Sequence, residues 1–228
     1  MSHTAPSRFN PQVLLLLKIA TLLGVAVTTL GVVYSLGNRP SSTSPTSSTS
    51  PVTQTNHQLA GQYPFQVGTP AVGDQAPALK LPAADSTTFD LAAMKGKTTL
   101  LFFQEGIACP ACWDQISDIE KHFDQFQALG IDQMVSISTD PLDVLKQKAA
   151  FEGYKTPLLT DLDMSVSHAY TTNKYGMMGD HMNGHSFILV GPDGKILWRA
   201  DYGGAPYYFM YIPVPNLIAD IEHGLPSN

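Results

Sequence analysis

The sequence predicts an α/β domain, a central mixed β-sheet flanked by helices, preceded by one transmembrane helix. Three observations carry this. Strand-like and helical segments follow one another as strand–helix–strand–helix, then a hairpin and a last helix, the order of a sheet with helices on both faces. A long apolar run lies close to the N-terminus. Between a strand and a helix stand the only two cysteines, Cys109 and Cys112.

The apolar run covers residues 13–36. Within it, Ile19–Leu36 is 18 residues without a charge, about the least that crosses a bilayer. Lys18 lies at its edge and can reach back to the headgroups. Arg8, Lys18 and the α-amino group precede the run and Arg39 follows it, which puts the N-terminus in the cytoplasm and the rest outside. No A-x-A site follows Tyr34, so an uncleaved signal-anchor is preferred over a cleaved signal peptide. Residues 40–55 are almost entirely Ser, Thr and Pro and cannot bury apolar area. The expected organisation is a cytoplasmic tail over 1–12, the anchor over 13–36, a disordered stalk over 37–67 and a folded domain over 68–228. Tyr63, Pro64 and Phe65 are candidates to pack on the domain. Beyond residue 40 the chain carries 10 basic against 19 acidic residues, a net of −9. That balance excludes nucleic acid as a partner, because phosphates need Lys and Arg clusters.

Within the domain, Leu79 and Leu81 mark a short strand and Asp85-Ser86 a turn. Leu91 to Lys95 reads as one helical turn before Gly96. Thr98 to Gln104 is a buried strand. Trp113, Ile116, Ile119, Phe123, Phe126 and Leu129 recur at helical spacing up to Gly130, predicting one helix from the cysteines to that glycine. Gln133 to Thr139 is the next strand, and Asp140-Pro141 caps a helix reaching Phe151. Leu158 to Thr160 is extended and Asp163 to Tyr170 helical. Ser186–Val190 and Lys195–Arg199 flank Gly191-Pro192-Asp193-Gly194 as a hairpin. Pro215 to Glu222 closes the chain as a helix.

The cysteine spacing has its own chemistry. Pro110 suits a first helical position, where its missing N–H has no partner to lose. Cys109 is then the N-cap, with its sulfur at the positive end of the helix dipole. A thiolate is stabilised there, and the thiolate is the nucleophile. Cys112, three residues on, can close a disulfide with it or resolve a mixed disulfide. Two buried inert thiols, a structural bridge and half of a zinc site are the alternatives. A loop this short constrains the unfolded chain little, and no second cysteine pair exists to complete a zinc site.

Several strings resemble one superfamily. The stretch from Val72 to Phe103, with Gly73-Asp74, Ala76-Pro77 and Lys95-Gly96-Lys97, resembles the opening of the AhpC/TSA (peroxiredoxin-like, redoxin) branch of the thioredoxin-like proteins. VSISTDP from Val135, TPLLTDLDMSVSHAY from Thr156 and FILVGPDGKI from Phe187 resemble its later segments. The resemblance implies a thioredoxin-like fold from about residue 68 and thiol-dependent redox chemistry. The peroxiredoxin pattern Pro-x-x-x-Thr/Ser-x-x-Cys puts Phe102 and Gly106 at its Pro and Thr/Ser positions, and Gly184 at its Arg position. The loop FFQEGIACPAC instead resembles membrane-anchored TlpA-like thiol–disulfide oxidoreductases, which carry a CxxC there and a cis-proline at the position of Gly184.

The expected function is therefore a membrane-anchored, extracytoplasmic thiol–disulfide oxidoreductase, with Cys109 as nucleophile and Cys112 as resolving thiol. Glu105 and His185 are candidate auxiliary residues: Glu105 as a proton shuttle to Cys112, His185 as an acid/base group near Cys109. Asp114 serves the helix dipole, and His57, His122, His168 and His223 read as exposed or structural. The loop from Lys174 to Ser186 also holds Met177, Met178, His181 and Met182. Thiolate, thioether and imidazole together suit Cu(I). A likeness to Sco-type copper chaperones makes Cys109, Cys112 and His185 an alternative Cu(I) set, and a thiol peroxidase is the other alternative. The aromatic stretch from Tyr202 to Tyr211 is expected to pack under the last helix, with a partner-docking surface as the alternative. No cofactor is expected. The partners are protein or small-molecule thiols and disulfides, the membrane, and an electron donor.

Overall fold

The computed structural model describes residues 61–225. The expected cytoplasmic tail, the expected anchor and the Ser/Thr/Pro-rich stretch up to residue 60 lie outside the described residues, as does His57. Among the described residues no helix is long and apolar enough to cross a membrane.

A five-stranded mixed sheet has the order β5-β4-β3-β6-β7, with β3 at Thr99–Phe103, β4 at Gln133–Ser138, β5 at Leu158–Thr160, β6 at Ser186–Val190 and β7 at Ile196–Asp201. Strands β3, β4 and β5 are parallel, β6 runs antiparallel to β3, and β7 antiparallel to β6. A two-stranded hairpin precedes the sheet, β1 at Lys80–Pro82 and β2 at Thr88–Asp90. The sequence reading missed β2, since three residues are too few to show a period.

Strand β3, TLLFF, is buried at every position. Leu100 and Phe102 join one face's core while Leu101 and Phe103 join the other's, as the two-residue period of a strand requires. Each such side chain contributes roughly 1.5–3 kcal/mol of burial. Helices α1 (Pro110–Lys121), α2 (Phe123–Ala128), α3 (Leu142–Glu152) and α5 (Val214–Gly224) contribute to the first face. The second face is covered by the β1–β2 hairpin and by Val166 of the short helix α4 (Ser165–Ala169), rather than by long helices.

Two expected elements differ. The helix read as continuous from the cysteines to Gly130 breaks at His122, whose φ of −120° leaves the helical region. Its N–H turns to the Ile119 carbonyl, and its ring Nδ1 sits 2.8 Å from the Asp118 carbonyl that the N–H would otherwise have used. A side chain has entered the i→i−4 ladder. Asp140 does not cap α3: Pro141 is the N-cap residue, without a side-chain bond. The Asp140 carboxylate is drawn into the fold by donors described below.

The folded part also begins earlier than residue 68. Phe65 packs edge-on against Tyr202 and Trp198, Tyr63 against Phe209, and Gln66 pairs with Asp201. Residues 61–67, assigned above to the stalk, thus lie on the domain. The aromatic stretch splits. Tyr202 is buried and donates to Asp220 at 2.7 Å, while Tyr207 and Tyr208 are exposed.

A fully buried ion pair fastens this edge. Arg199 meets Asp201 through Nε at 2.8 Å and Nη2 at 3.1 Å. Its Nη1 donates to the Pro70 carbonyl at 2.9 Å, and its guanidinium lies 5.8 Å from the Tyr175 ring centre. The Gly68 N–H donates to Asp201 at 2.7 Å. Removing one partner strands a buried charge, so Asp201→Asn should lower stability by about 3–5 kcal/mol in urea unfolding. Replacing both Arg199 and Asp201 with apolar residues should recover most of that loss.

Candidate active site

The site forms where the strand order reverses. From β3 the chain steps to β4 on one side, and β6 returns on the other side. The loop after β3 and the loop before β6 therefore meet at one end of the sheet, where open α/β sheets bind and react. Antiparallel pairing of Phe103 with Ser186 sets His185 beside the loop that leads from β3 to the cysteines.

Cys109 caps α1 as the spacing predicts. It has φ −114° and ψ 90°, Pro110 follows at the first helical position, and the Cys112 N–H donates to the Cys109 sulfur at 3.2 Å. The two sulfurs are joined as a disulfide with a Cα–Cα distance of 5.4 Å. Cys109 is 5% exposed and Cys112 fully buried, so of the two residues only Cys109 retains any contact with solvent.

Three side chains to which the sequence reading assigned no role at the site, Gln104, Asp140 and Trp113, hold the approach to Cys109. Gln104 accepts from the Gly106 N–H at 2.6 Å and donates to Ser136 at 3.3 Å. Asp140 accepts from the Ile107 N–H at 3.0 Å and the Ser138 hydroxyl at 2.8 Å. The Trp113 indole donates to the Gly106 carbonyl at 3.0 Å. Gly106 itself has φ +79°, and a Cβ there would overlap the Asp140 carboxylate. A legible signal did exist for Asp140. It stands two residues past the end of a parallel strand, β4, where site residues gather.

The second loop closes on itself. The Thr172 hydroxyl donates to the Asn183 side chain at 2.7 Å, the Gly184 N–H to the Thr172 carbonyl at 3.0 Å, and the His185 N–H to the Tyr175 carbonyl at 3.1 Å. Gly184 is there because of space: a Cβ would overlap the Tyr175 carbonyl. The His185 carbonyl accepts from the N–H groups of Tyr202 and Gly203 at 2.9 and 3.1 Å.

This backbone cradle delivers the His185 ring, fully buried, edge-on against the stacked rings of Phe102 and Phe187, with centroids at 4.8 and 5.3 Å. Its Nδ1 lies 3.8 Å from the sulfur of Cys112. Of the two bonded sulfurs, the ring meets that of Cys112, the fully buried one. Burial pushes the imidazole down from 6.5 to about 3, so the ring is neutral at any ordinary pH.

Glu105 is also buried, but its carboxylate accepts from the Met177 N–H at 2.6 Å. It has no hydrogen bond to either sulfur among the described residues; through Met177 it latches the loop after β3 to the loop before β6. Met177, Met178 and His181 are exposed. Among the described residues no set of three or more His, Cys, Asp or Glu side chains is arranged to hold a metal ion. In the alternative Cu(I) set, Cys109 and Cys112 are bonded to one another, with His185 against Cys112. Asp114, His168 and His223 are exposed, and the His122 ring bonds its own helix.

Fold and site define a thioredoxin-like, thiol-dependent oxidoreductase. The chain belongs to the AhpC/TSA family, whose model matches residues 72–199. A Mycobacterium tuberculosis protein (strain H37Rv) named "Putative peroxiredoxin" is 33% identical over 130 residues, covering 55% of this chain and 81% of that protein. Among solved structures, peroxidoxin BcpB of M. tuberculosis superposes with a TM-score of 0.55 at 21% identity, over 67% of this chain and 96% of that one. Enterococcus faecalis AhpC gives 0.56 at 18%, over 67% and 90%. At these identities the structural likeness speaks for the fold.

The buried ring makes a stability prediction. An unfolded imidazole takes up a proton below pH 6.5, whereas the native ring stays neutral down to about pH 3. Native stability should therefore fall as pH drops through that window, by roughly 1.4 kcal/mol per pH unit from this group. His185→Leu should lack that share of the slope in urea unfolding between pH 7 and 4. Equal slopes would contradict a neutral native ring.

Proposed function

We propose that this chain is a membrane-tethered thiol–disulfide oxidoreductase whose redox centre, Cys109–Cys112, works outside the cytoplasm. The observation that carries the reading is the asymmetry of the disulfide at the start of α1: Cys109 is the N-cap and keeps a slight exposure, whereas Cys112 is fully buried. As a reductant, the Cys109 thiolate attacks a substrate disulfide, forming a mixed disulfide and releasing one substrate thiolate. Cys112 then attacks the Cys109 sulfur, closes the internal disulfide and releases the second. The substrate gains two electrons and the protein loses two. As an oxidant the same bonds form and break in reverse. Reduction potential decides the direction, and an electron donor or acceptor of thiol type completes the cycle. The apolar run over 13–36 supports the tether, and the Ser/Thr/Pro composition of residues 40–55 supports a spacer that holds the domain off the membrane.

Family membership favours a second reading, a thiol peroxidase. There the Cys109 thiolate takes an oxygen from a peroxide to become sulfenic acid, and the Cys112 thiol condenses with it, releasing water. Against it stand Gly106 and Gly184 at the positions where the peroxiredoxin pattern has Thr/Ser and Arg. Here a side chain at either would collide with Asp140 or with Tyr175.

Thiol mass-tagging of the full chain across a glutathione redox series should give one two-electron transition between dithiol and disulfide. Thiols that never pair would sink the reading. Cys112→Ser should accumulate mixed disulfides through Cys109, and Cys109→Ser should not. Consumption of peroxide that outpaces exchange with a dithiol would favour the peroxidase. Deleting residues 1–36 should release the protein from the membrane fraction, and retention there would refute the tether.

A further inference from the structure

The His185 Nδ1 stands within hydrogen-bonding reach of the Cys112 sulfur, and the chemistry of the two atoms fixes where the proton must be for them to bond. The sulfur of a disulfide carries no proton. A hydrogen bond across the 3.8 Å gap therefore requires the proton on Nδ1. Nε2 is then the bare nitrogen. It is buried and has no hydrogen-bond partner. A buried acceptor without a partner is tolerated more often than a buried N–H without one. The opposite tautomer would leave an orphaned N–H and set two lone pairs against each other. Both observations select the same form.

The surroundings strengthen the bond. The stacked rings of Phe102 and Phe187 pack against the imidazole, no charged side chain bonds to it among the described residues, and Glu105 is engaged by Met177. In such a dry site a hydrogen bond to a developing anion is worth more than in water. The α1 dipole serves Cys109, the N-cap. Cys112 points inward, where the imidazole is the polar side chain that meets its sulfur.

We propose that His185 is a catalytic residue for the buried half of the redox pair, its neutral Nδ1–H stabilising the Cys112 thiolate that leaves when Cys109 is attacked. The proposal rests on the Cys109–Cys112 exchange reading. A substrate thiolate forms a bond to the Cys109 sulfur, the Cys109–Cys112 bond breaks, and its electron pair remains on Cys112, held by Nδ1–H. A second substrate thiol then attacks the mixed disulfide, its proton passes to Cys112, and the substrate leaves oxidised. The imidazole keeps its own proton throughout. In the reverse direction the same bond keeps Cys112 in the form that attacks the mixed disulfide. The two sulfurs are thus activated by different devices, a helix terminus for the outer one and an imidazole for the inner one.

The test uses two matched replacements in the full chain. Asn carries an amide N–H close to where Nδ1 stands, and Leu has nearly the same size and shape without it. A packing loss common to both cancels in their comparison. In the Cys109→Ser background, thiolate absorbance reports the ionisation constant of Cys112. With the pair intact, the rate at which dithiothreitol opens the disulfide reports the leaving group. His185→Leu should lower both by about tenfold, and His185→Asn should stay close to the parent. Equal values for Asn and Leu would overturn the proposal while leaving the oxidoreductase reading intact. A native disulfide that no dithiol opens would instead overturn that reading, and this one with it. A third measurement needs no substitution: the 15N shifts of the His185 ring at pH 7 should show a protonated Nδ1 and a bare Nε2. The reverse pattern contradicts the mechanism.

Discussion

One close approach of backbone to backbone underlies the site. At Gly184 the chain passes so near the Tyr175 carbonyl that a single carbon more would collide. That crossing lets the His185 N–H reach Tyr175 and the Gly184 N–H reach Thr172, which ties the loop before β6 into a closed ring. The ring ends on β6 in a register set by pairing with β3, so the imidazole comes down beside the cysteine helix. With a side chain at 184 the loop would have to open, and His185 would lose its approach to Cys112.

The opposite wall of the site is built with equal care. Gln104, Asp140 and Trp113 each bond the short turn before Cys109. Three fixed groups hold a turn that would otherwise carry unpaired backbone atoms next to a reactive sulfur. Glu105 joins the two walls through Met177. Arg199 and Asp201 fasten the far edge, where Gly68 and Pro70 meet β7 and Tyr175 lies close by. The loop that bears His185 is therefore braced from both sides. A site held this way loses little freedom when a substrate docks, and that favours reaction.

These supports also explain how a member of the AhpC/TSA family departs from the peroxiredoxin pattern. Gly106 and Gly184 each occupy a space already filled by a neighbour, Asp140 and Tyr175 respectively. Restoring a hydroxyl or a guanidinium there requires rebuilding both walls rather than exchanging two residues. The geometry suits a disulfide with one slightly exposed and one fully enclosed cysteine, the latter against a neutral imidazole.

Much of this was legible in the chain because it is local. Cys109 as an N-cap, Pro110 at the first helical position, the apolar strand before them and the Gly191–Gly194 hairpin turn all depend on residues a few positions apart. The break at His122 was not legible, because the apolar spacing continues through it and only the ring's bond to Asp118 shows the interruption. Asp140 reads as a cap until its carboxylate finds Ile107, 33 positions earlier. By itself the sequence determined that two thiols share one helix start and which of them faces the dipole. Which of them meets His185, 73 positions beyond Cys112, was decided only by the β3–β6 register and the crossing at Gly184, since helical spacing carries no information about which strand lies across from it.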